Sequence, residues 1–128
     1  MNNNDDIFYY LMKARKESFK ATHPRVRIGV IIIKNGKTIG RGHNQMRRIN
    51  LKEFSKWSNS LHAEVHALYK LTPEQTKKAT MYIYRETKNG NLAMCKPCDY
   101  CMKAIQEYKI KQVVYTTSCY PGYKVEKL

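Results

Sequence analysis

The sequence predicts an α/β fold, with helices laid on one sheet whose last strand returns antiparallel. Three observations lead there. After a first helix, apolar periodicities run in the order β-β-α-β-α-β, and helices that alternate with strands cover a mostly parallel sheet. Asn35-Gly36 lies between two strand-like runs and marks a tight hairpin. Only eleven residues follow Thr117. A parallel crossover needs about a dozen or more, so a strand at Tyr123–Lys127 must return antiparallel through a turn near Pro121-Gly122.

Each element has its own signal. Residues 6–20 read as a first helix with Phe8, Leu11, Met12 and Phe19 on one side and basic residues between them. His23-Pro24 breaks it. Val26–Ile33 is rich in β-branched residues and reads as a buried strand, and Lys37–Gly42 as its hairpin partner. A long, polar, basic loop is expected from about Asn44 to Asn59, the kind of loop that is often functional. Ser60 is expected to cap a helix through Leu71, stopped by Thr72-Pro73. A helical turn follows at 73–78, then a strand at Thr80–Arg85 and a loop at 86–94. Pro97 is placed to open a helix to about Tyr108, since proline loses no bond at a first helical position. Val113–Thr117 reads as the next strand.

The chain of 128 residues has room for one domain, residues 1–128, around one core. It contains no run of about 18 apolar residues, so no membrane partner is expected. It opens on the polar, acidic Met1-Asn2-Asn3-Asn4-Asp5-Asp6 rather than on a leader pattern. A cytoplasmic location is therefore expected, where four cysteines are thiols or metal ligands rather than disulfides. The formal net charge of +14 has two readings. One is attraction to phosphate in nucleotides or nucleic acid. The other is a coding bias toward Lys, matched by richness in Asn, Ile and Tyr. The cations cluster at Lys13, Arg15, Lys16, Lys20, Arg25 and Arg27, and again at Arg41, Arg47, Arg48, Lys52 and Lys56.

Two short motifs carry chemistry, and each begins a predicted helix. They are His62-Ala63-Glu64 and Pro97-Cys98-Asp99-Tyr100-Cys101. A helix N-terminus lowers thiolate pKa, and Cys98 and Cys101 share a helix face. With His62 they offer one nitrogen and two sulfurs. Zn2+ accepts that set in a tetrahedron with one open position, and it lowers the pKa of bound water to about 7. Glu64, in the first turn, can reach the same space and shuttle protons. The pattern H-x-E followed by P-C-x-x-C is that of zinc deaminases, with the glutamate catalytic rather than ligating.

Other readings of these residues stand beside that one. Cys95, Cys98 and Cys101 form C-x-x-C-x-x-C, with Cys119 beyond, a spacing that also suits an iron–sulfur site, though it leaves His62 and Glu64 idle. His66 could complete a closed structural zinc site with His62, Cys98 and Cys101. Cys95 reads as a small buried hydrophobe near the site. Phe54 and Trp57 read either as base-stacking residues or as anchors of their loop.

On these residues the chain resembles the cytidine and deoxycytidylate deaminase superfamily, which also includes tRNA adenosine deaminases. Arg27 to Ile32, Asn35-Gly36 and Gly40-Arg41-Gly42-His43-Asn44 resemble the opening hairpin. Ser60 to Glu64 and Pro97 to Cys101 resemble the metal half-sites, and Ile110 to Tyr115 the strand that follows. The likeness runs over residues 7–117 and is nearest to small phage- or virus-type members. It implies a three-layer α/β/α cytidine deaminase-like fold, with a mixed five-stranded sheet and an antiparallel last strand. It implies Zn2+ on His62, Cys98 and Cys101, and Glu64 as the catalytic proton shuttle. It implies that Asn44 hydrogen-bonds the sugar or base at the pocket wall; Ala63 is expected at the substrate beside it, and the charge and aromatic content of the loop add Arg47, Arg48 and Trp57 as substrate contacts near the pocket mouth. The short C-terminus resembles the nucleoside branch rather than the tRNA adenosine branch, which continues into a crossover helix. The expected activity is hydrolysis of cytosine to uracil and ammonia in a free nucleoside or nucleotide such as dCMP or deoxycytidine, by a homo-oligomer. The alternatives are a cytosine deaminase of single-stranded DNA or RNA, and a non-catalytic zinc module that binds nucleic acid.

Overall fold

The computed structural model describes residues 3–22, 26–46 and 60–128. In chain order the elements are α1 (Asn3–Ser18), β1 (Ile28–Lys34), β2 (Lys37–His43), β3 (Gln45–Met46), β4 (Ser60–Leu61), α2 (Ala63–Leu68), α3 (Pro73–Thr76), β5 (Thr80–Arg85), α4 (Asp99–Glu107), β6 (Gln112–Thr116) and β7 (Tyr123–Lys127). The main sheet is five-stranded, in the order β2-β1-β5-β6-β7.

Alternation along the buried strands builds two cores, one on each face. Val30, Ile32, Met81, Ile83, Val113 and Tyr115 meet the helices α2 and α4 through Ala63, Ala67, Leu68, Ala104 and Ile105. Ile31, Ile33, Tyr82, Tyr84 and Val114 point the other way and meet α1 through Leu11 and Ala14. The period-two pleat of each strand thus serves a helix layer on both sides, giving three layers. Strands buried on both faces read as continuous apolar runs, which is why Val30–Ile33 carries no polar residue.

Several expectations change. The sheet is mixed, as the resemblance implies, and not mostly parallel as the order of elements alone suggests: β5 pairs parallel with β6, while β1 pairs antiparallel with both β2 and β5, and β7 antiparallel with β6. The cause is the hairpin. It places β1 inside β2, so the crossover through α2 sets β5 parallel to β2 but beside β1. The inner stripe of α1 is Leu11, Ala14 and Ser18, whereas Met12 and Phe19 are exposed. Small residues win that stripe because the helix backbone rests on β1. A Cβ at Gly29 would collide with Ala14 O and with the backbone of Ser18. Phe19 instead lies under the Arg15 guanidinium, 4.8 Å from it.

Ser60 does not cap a helix. It pairs with Met46 in the small β3-β4 ladder, and extended His62 (φ −70°, ψ 144°) takes the cap position. That ladder joins the two ends of the expected 44–59 loop, whose residues 47–59 lie outside the described residues. The helix ends at Leu68 rather than Leu71, before α3, whose capping box joins Thr72 and Gln75. Pro97 stands before α4 rather than in its first turn, and Cys98 is the cap. The antiparallel β7 and its turn at Pro121-Gly122 are as expected.

One contact fixes α2 on the sheet. A Cβ on Gly42 would strike Ala63 O and Ala67 N, so helix and strand backbones touch with no side chain between them. Gly42→Ala should therefore cost about 1–3 kcal/mol or more, as overpacking does. It should also loosen metal retention, because α2 carries His62. Gly36→Asn makes the comparison: Gly36 has φ +76° and open space where a Cβ would stand, and Asn tolerates that conformation. Its thermal melt should stay near that of the unmodified protein.

Candidate active site

Two helices begin at the same pole of the sheet. β2 and β5 run parallel on either side of β1, so α2 after β2 and α4 after β5 both present their N-termini there. His62 caps α2 and Cys98 caps α4, both extended and neither with a side-chain cap bond. Their side chains therefore project beyond the helix ends. Cys101 lies in the first turn of α4 and is fully buried.

These three side chains converge. His62 Nδ1 stands 3.0 Å from Cys101 Sγ and 3.9 Å from Cys98 Sγ. All the ligand atoms lie within 4.8 Å of one another. Bond lengths of about 2.0–2.1 Å to nitrogen and 2.3 Å to sulfur put tetrahedral zinc ligands about 3.5–3.8 Å apart. The set fits zinc in spacing and in donor type. His66 stands outside it: its Nδ1 accepts from the His43 backbone N–H at 3.1 Å, and its ring lies against His43 and Tyr69. Cys95 is outside too, with Sγ 3.1 Å from Thr116 Oγ1 and 3.4 Å from Ile83 O. Among the described residues the candidate metal cluster is therefore a three-ligand set, which favours neither the closed four-ligand site nor the iron–sulfur reading.

At Cys101 the direction is the reverse of the lowering expected at a helix N-terminus. Burial first, then the charges of Glu64 and Cys98, push the Cys101 thiol up. Burial is the largest of these causes, and a cation at the cluster would act against it. Burial lowers the His62 pKa and keeps its imidazole neutral, the form that ligates. It also pushes the Cys95 thiol up to about 12, as suits a residue that packs rather than ligates. Glu64 is 5% exposed, and burial pushes its carboxyl up to about 7.

A cavity of about 320 Å³ opens beside the cluster, with His62, Ala63, Glu64 and Cys98 on its wall. Asn44 lines it as well, but its amide is engaged with the chain: Oδ1 accepts from Ile28 N–H at 2.8 Å and Nδ2 donates to Val26 O at 2.7 Å. Its first effect is to hold the wall. Arg47, Arg48 and Trp57, with Lys52, Phe54 and Lys56, lie outside the described residues. Sequence reasoning missed Arg85, which also lines the cavity. A signal existed, since Arg85 ends β5 and ligands of open α/β sheets sit at the carboxyl ends of strands.

Similarity to known proteins points to the same chemistry. The family model for the cytidine and deoxycytidylate deaminase zinc-binding region matches residues 3–117. The chain is 32% identical over 96 residues to the riboflavin biosynthesis protein RibD of Escherichia coli, across 71% of this chain and 22% of that protein. It is 28% identical over 111 residues to a tRNA-specific adenosine deaminase of Streptococcus pyogenes, across 86% of this chain and 62% of that one. The chain thus spans less than two thirds of the length of the curated relatives it matches. In structure it superposes on the dCMP deaminase of cyanophage S-TIM5 with TM-score 0.67 and 22% identity, covering 91% of this chain and 86% of that one. It superposes on a cytidine deaminase from Burkholderia pseudomallei with TM-score 0.69 and 20% identity, covering 99% and 93%. At such identities the likeness is one of fold.

A tetrahedral site implies about one zinc per chain in the purified protein. Cys98→Ala or Cys101→Ala should lose it, while Cys95→Ser and His66→Ala should retain it, read by metal analysis after dialysis. Zinc kept in Cys98→Ala but lost in Cys95→Ser would mean that the wrong cysteines have been assigned.

Proposed function

We infer the activity from one premise: the chain belongs to the cytidine and deoxycytidylate deaminase zinc-binding family. On that premise the domain hydrolyses the exocyclic amine of a cytosine base, in a free nucleoside or nucleotide, to uracil and ammonia. The observation that carries this reading is Glu64, a buried carboxyl on the wall of a cavity shared with His62 and Cys98.

His62, Cys98 and Cys101 would hold zinc, which supplies Lewis acidity and brings a water pKa down toward about 7. Glu64 then handles the protons. Its carboxylate accepts one from the attacking water and delivers it to the ring nitrogen N3. It next passes the remaining proton to the amine. The C4–O bond forms, the C4–N bond breaks, and ammonia leaves with no change in oxidation state. Burial raises the Glu64 carboxyl above the ordinary carboxylate range, which makes it a better proton acceptor for such a relay. Ala63, between His62 and Glu64 in the sequence, is buried on the cavity wall, where its methyl group adds little bulk. Asn44 ties its part of the wall to Val26 and Ile28.

The cavity volume, at the low end of the usual range for small-molecule sites, supports a small substrate over a strand. The antiparallel β7 supports cytosine over adenine, because the resemblance associates that strand with nucleoside deaminases.

Glu64→Gln should leave zinc content and the thermal melt near those of the unmodified protein and cut turnover by about 100-fold or more. Ammonia release from deoxycytidine, dCMP, adenosine and a cytosine-containing oligonucleotide is the measurement. Unchanged turnover in Glu64→Gln would remove the assigned proton shuttle, and release from adenosine alone would replace the base.

A further inference from the structure

We propose that Arg85 determines the substrate class of this cavity: its guanidinium takes the phosphate of a nucleoside monophosphate, so the phosphorylated substrate is selected over the free nucleoside. The inference rests on the deaminase reading of the same site.

Charge is the first ground. The cavity wall carries two permanent cations, Arg85 and Lys96. Lys96 Nζ stands 3.3 Å from Glu126 and is thereby compensated. Among the described residues Arg85 has no carboxylate partner. Its one hydrogen bond to a described acceptor runs from Nη1 to the backbone oxygen of Met94 at 3.2 Å. A carbonyl orients a guanidinium without neutralising it. The other donors of the planar fork stay available, in the geometry that matches phosphate oxygens in pairs.

Position is the second ground. The reacting carbon of a base has to lie at Glu64 and the three-ligand cluster. The bond from Arg85 to Met94 is solvent-exposed whereas Glu64 on the same wall is buried, so we assign the guanidinium to the outer part of the cavity. In a nucleotide the 5′ phosphate is the group farthest from the base. A base directed inward thus presents its phosphate at the mouth, whereas a free nucleoside offers nothing there to balance the charge.

Rigidity is the third ground. Arg85 sits opposite Ile28 in the β1-β5 ladder, and Ile28 N–H donates to Asn44 from the other side. The Arg85 N–H donates to Thr116 Oγ1 at 3.1 Å, and its carbonyl accepts from Ala93 N–H at 3.0 Å. The backbone that bears the guanidinium is therefore tied to β1, β6 and the segment leading to Cys98. With the backbone tied and the side chain restrained by its bond to Met94, less freedom remains to be lost on binding.

The test measures product binding on zinc-loaded protein, by equilibrium titration with dUMP, deoxyuridine and a single-stranded oligo-dU lacking terminal phosphates. The unmodified protein should bind dUMP about 10-fold or more tightly than deoxyuridine, the scale of a hydrogen-bonded charge pair. Arg85→Gln should abolish that ratio and leave deoxyuridine affinity in place. Arg85→Lys, which keeps the charge but loses the fork, should retain only part of the ratio, and it serves if the Gln variant melts early. Equal binding of dUMP and deoxyuridine by the unmodified protein would overturn the proposal. So would an equal loss for both ligands in Arg85→Gln. A larger Arg85-dependent loss for the oligonucleotide than for dUMP would assign the residue to a strand phosphodiester and overturn it as well. Ammonia release separates this inference from the reading beneath it. An Arg85-dependent preference for dUMP without any turnover sinks the activity alone, while equal turnover of nucleoside and nucleotide sinks the role of Arg85 alone.

Discussion

The site turns on an electrostatic imbalance: a thiol and a carboxyl are buried together, and none of the described cations, Arg85 and Lys96 on the cavity wall included, pairs with either. Cys101 and Glu64 both have raised pKa values, chiefly through burial, and the charge of Glu64 adds to the rise at Cys101. His62 is held neutral beside them. Buried groups of this kind stay protonated unless a strong positive charge arrives. A divalent ion on His62, Cys98 and Cys101 is such a charge, and its arrival favours the ionised form of both groups. Metal binding, thiol ionisation and the charge state of Glu64 are thus linked. Metal affinity should carry a pH dependence, because protons leave as the ion enters.

That imbalance is produced by topology. The hairpin inserts β1 between β2 and β5, which makes those two strands parallel although they do not touch. Each is followed by a helix on the same face of the sheet, and each helix starts from the same pole. One N-cap then supplies the nitrogen ligand and the other a sulfur. The close contact at Gly42 sets the height of α2 on the sheet, and hence the depth of Glu64. A side chain at that position would lift the carboxyl from the environment that tunes it.

Much of this was legible in the sequence where a residue has one physical use. Asn35-Gly36 could only be a turn, and eleven residues could not cross over to a parallel strand. The metal half-sites were legible because few other uses explain a His, a Glu and two Cys at those spacings. What failed was set by contacts between elements. Helix periodicity cannot say which stripe of α1 faces inward when the sheet presents Gly29 and asks for Ala14 and Ser18 rather than Met12 and Phe19. Ser60 has good capping chemistry, but the ladder with Met46 claims its backbone first. The sign of the Cys101 shift was also hidden, because it follows from depth in the fold and from the nearness of Glu64, which the spacing of the motif does not show.

Thr116 shows how the sheet transmits order into the ligand half-site. It is fully buried, and its hydroxyl donates to Ala93 O at 2.7 Å while accepting from Arg85 N–H. Its carbonyl accepts from Cys95 N–H at 3.2 Å. The backbone from Ala93 to Cys95 is thereby tied to β6 side by side with the end of β5, and the Glu86–Leu92 bridge closes the loop before it. Cys98 follows three residues later as the cap of α4. A segment without regular structure thus arrives at the metal cluster already held by strand-like bonds. Cys95 belongs to this anchorage. Its thiol meets Thr116 and Ile83 inside the wall, so its conformational use is to seat the backbone that delivers Cys98. Ligands held in place before the metal binds need little reorganisation, and the same bonds fix the strand end that bears Arg85. Cluster and cavity mouth are therefore two ends of one hydrogen-bonded strip.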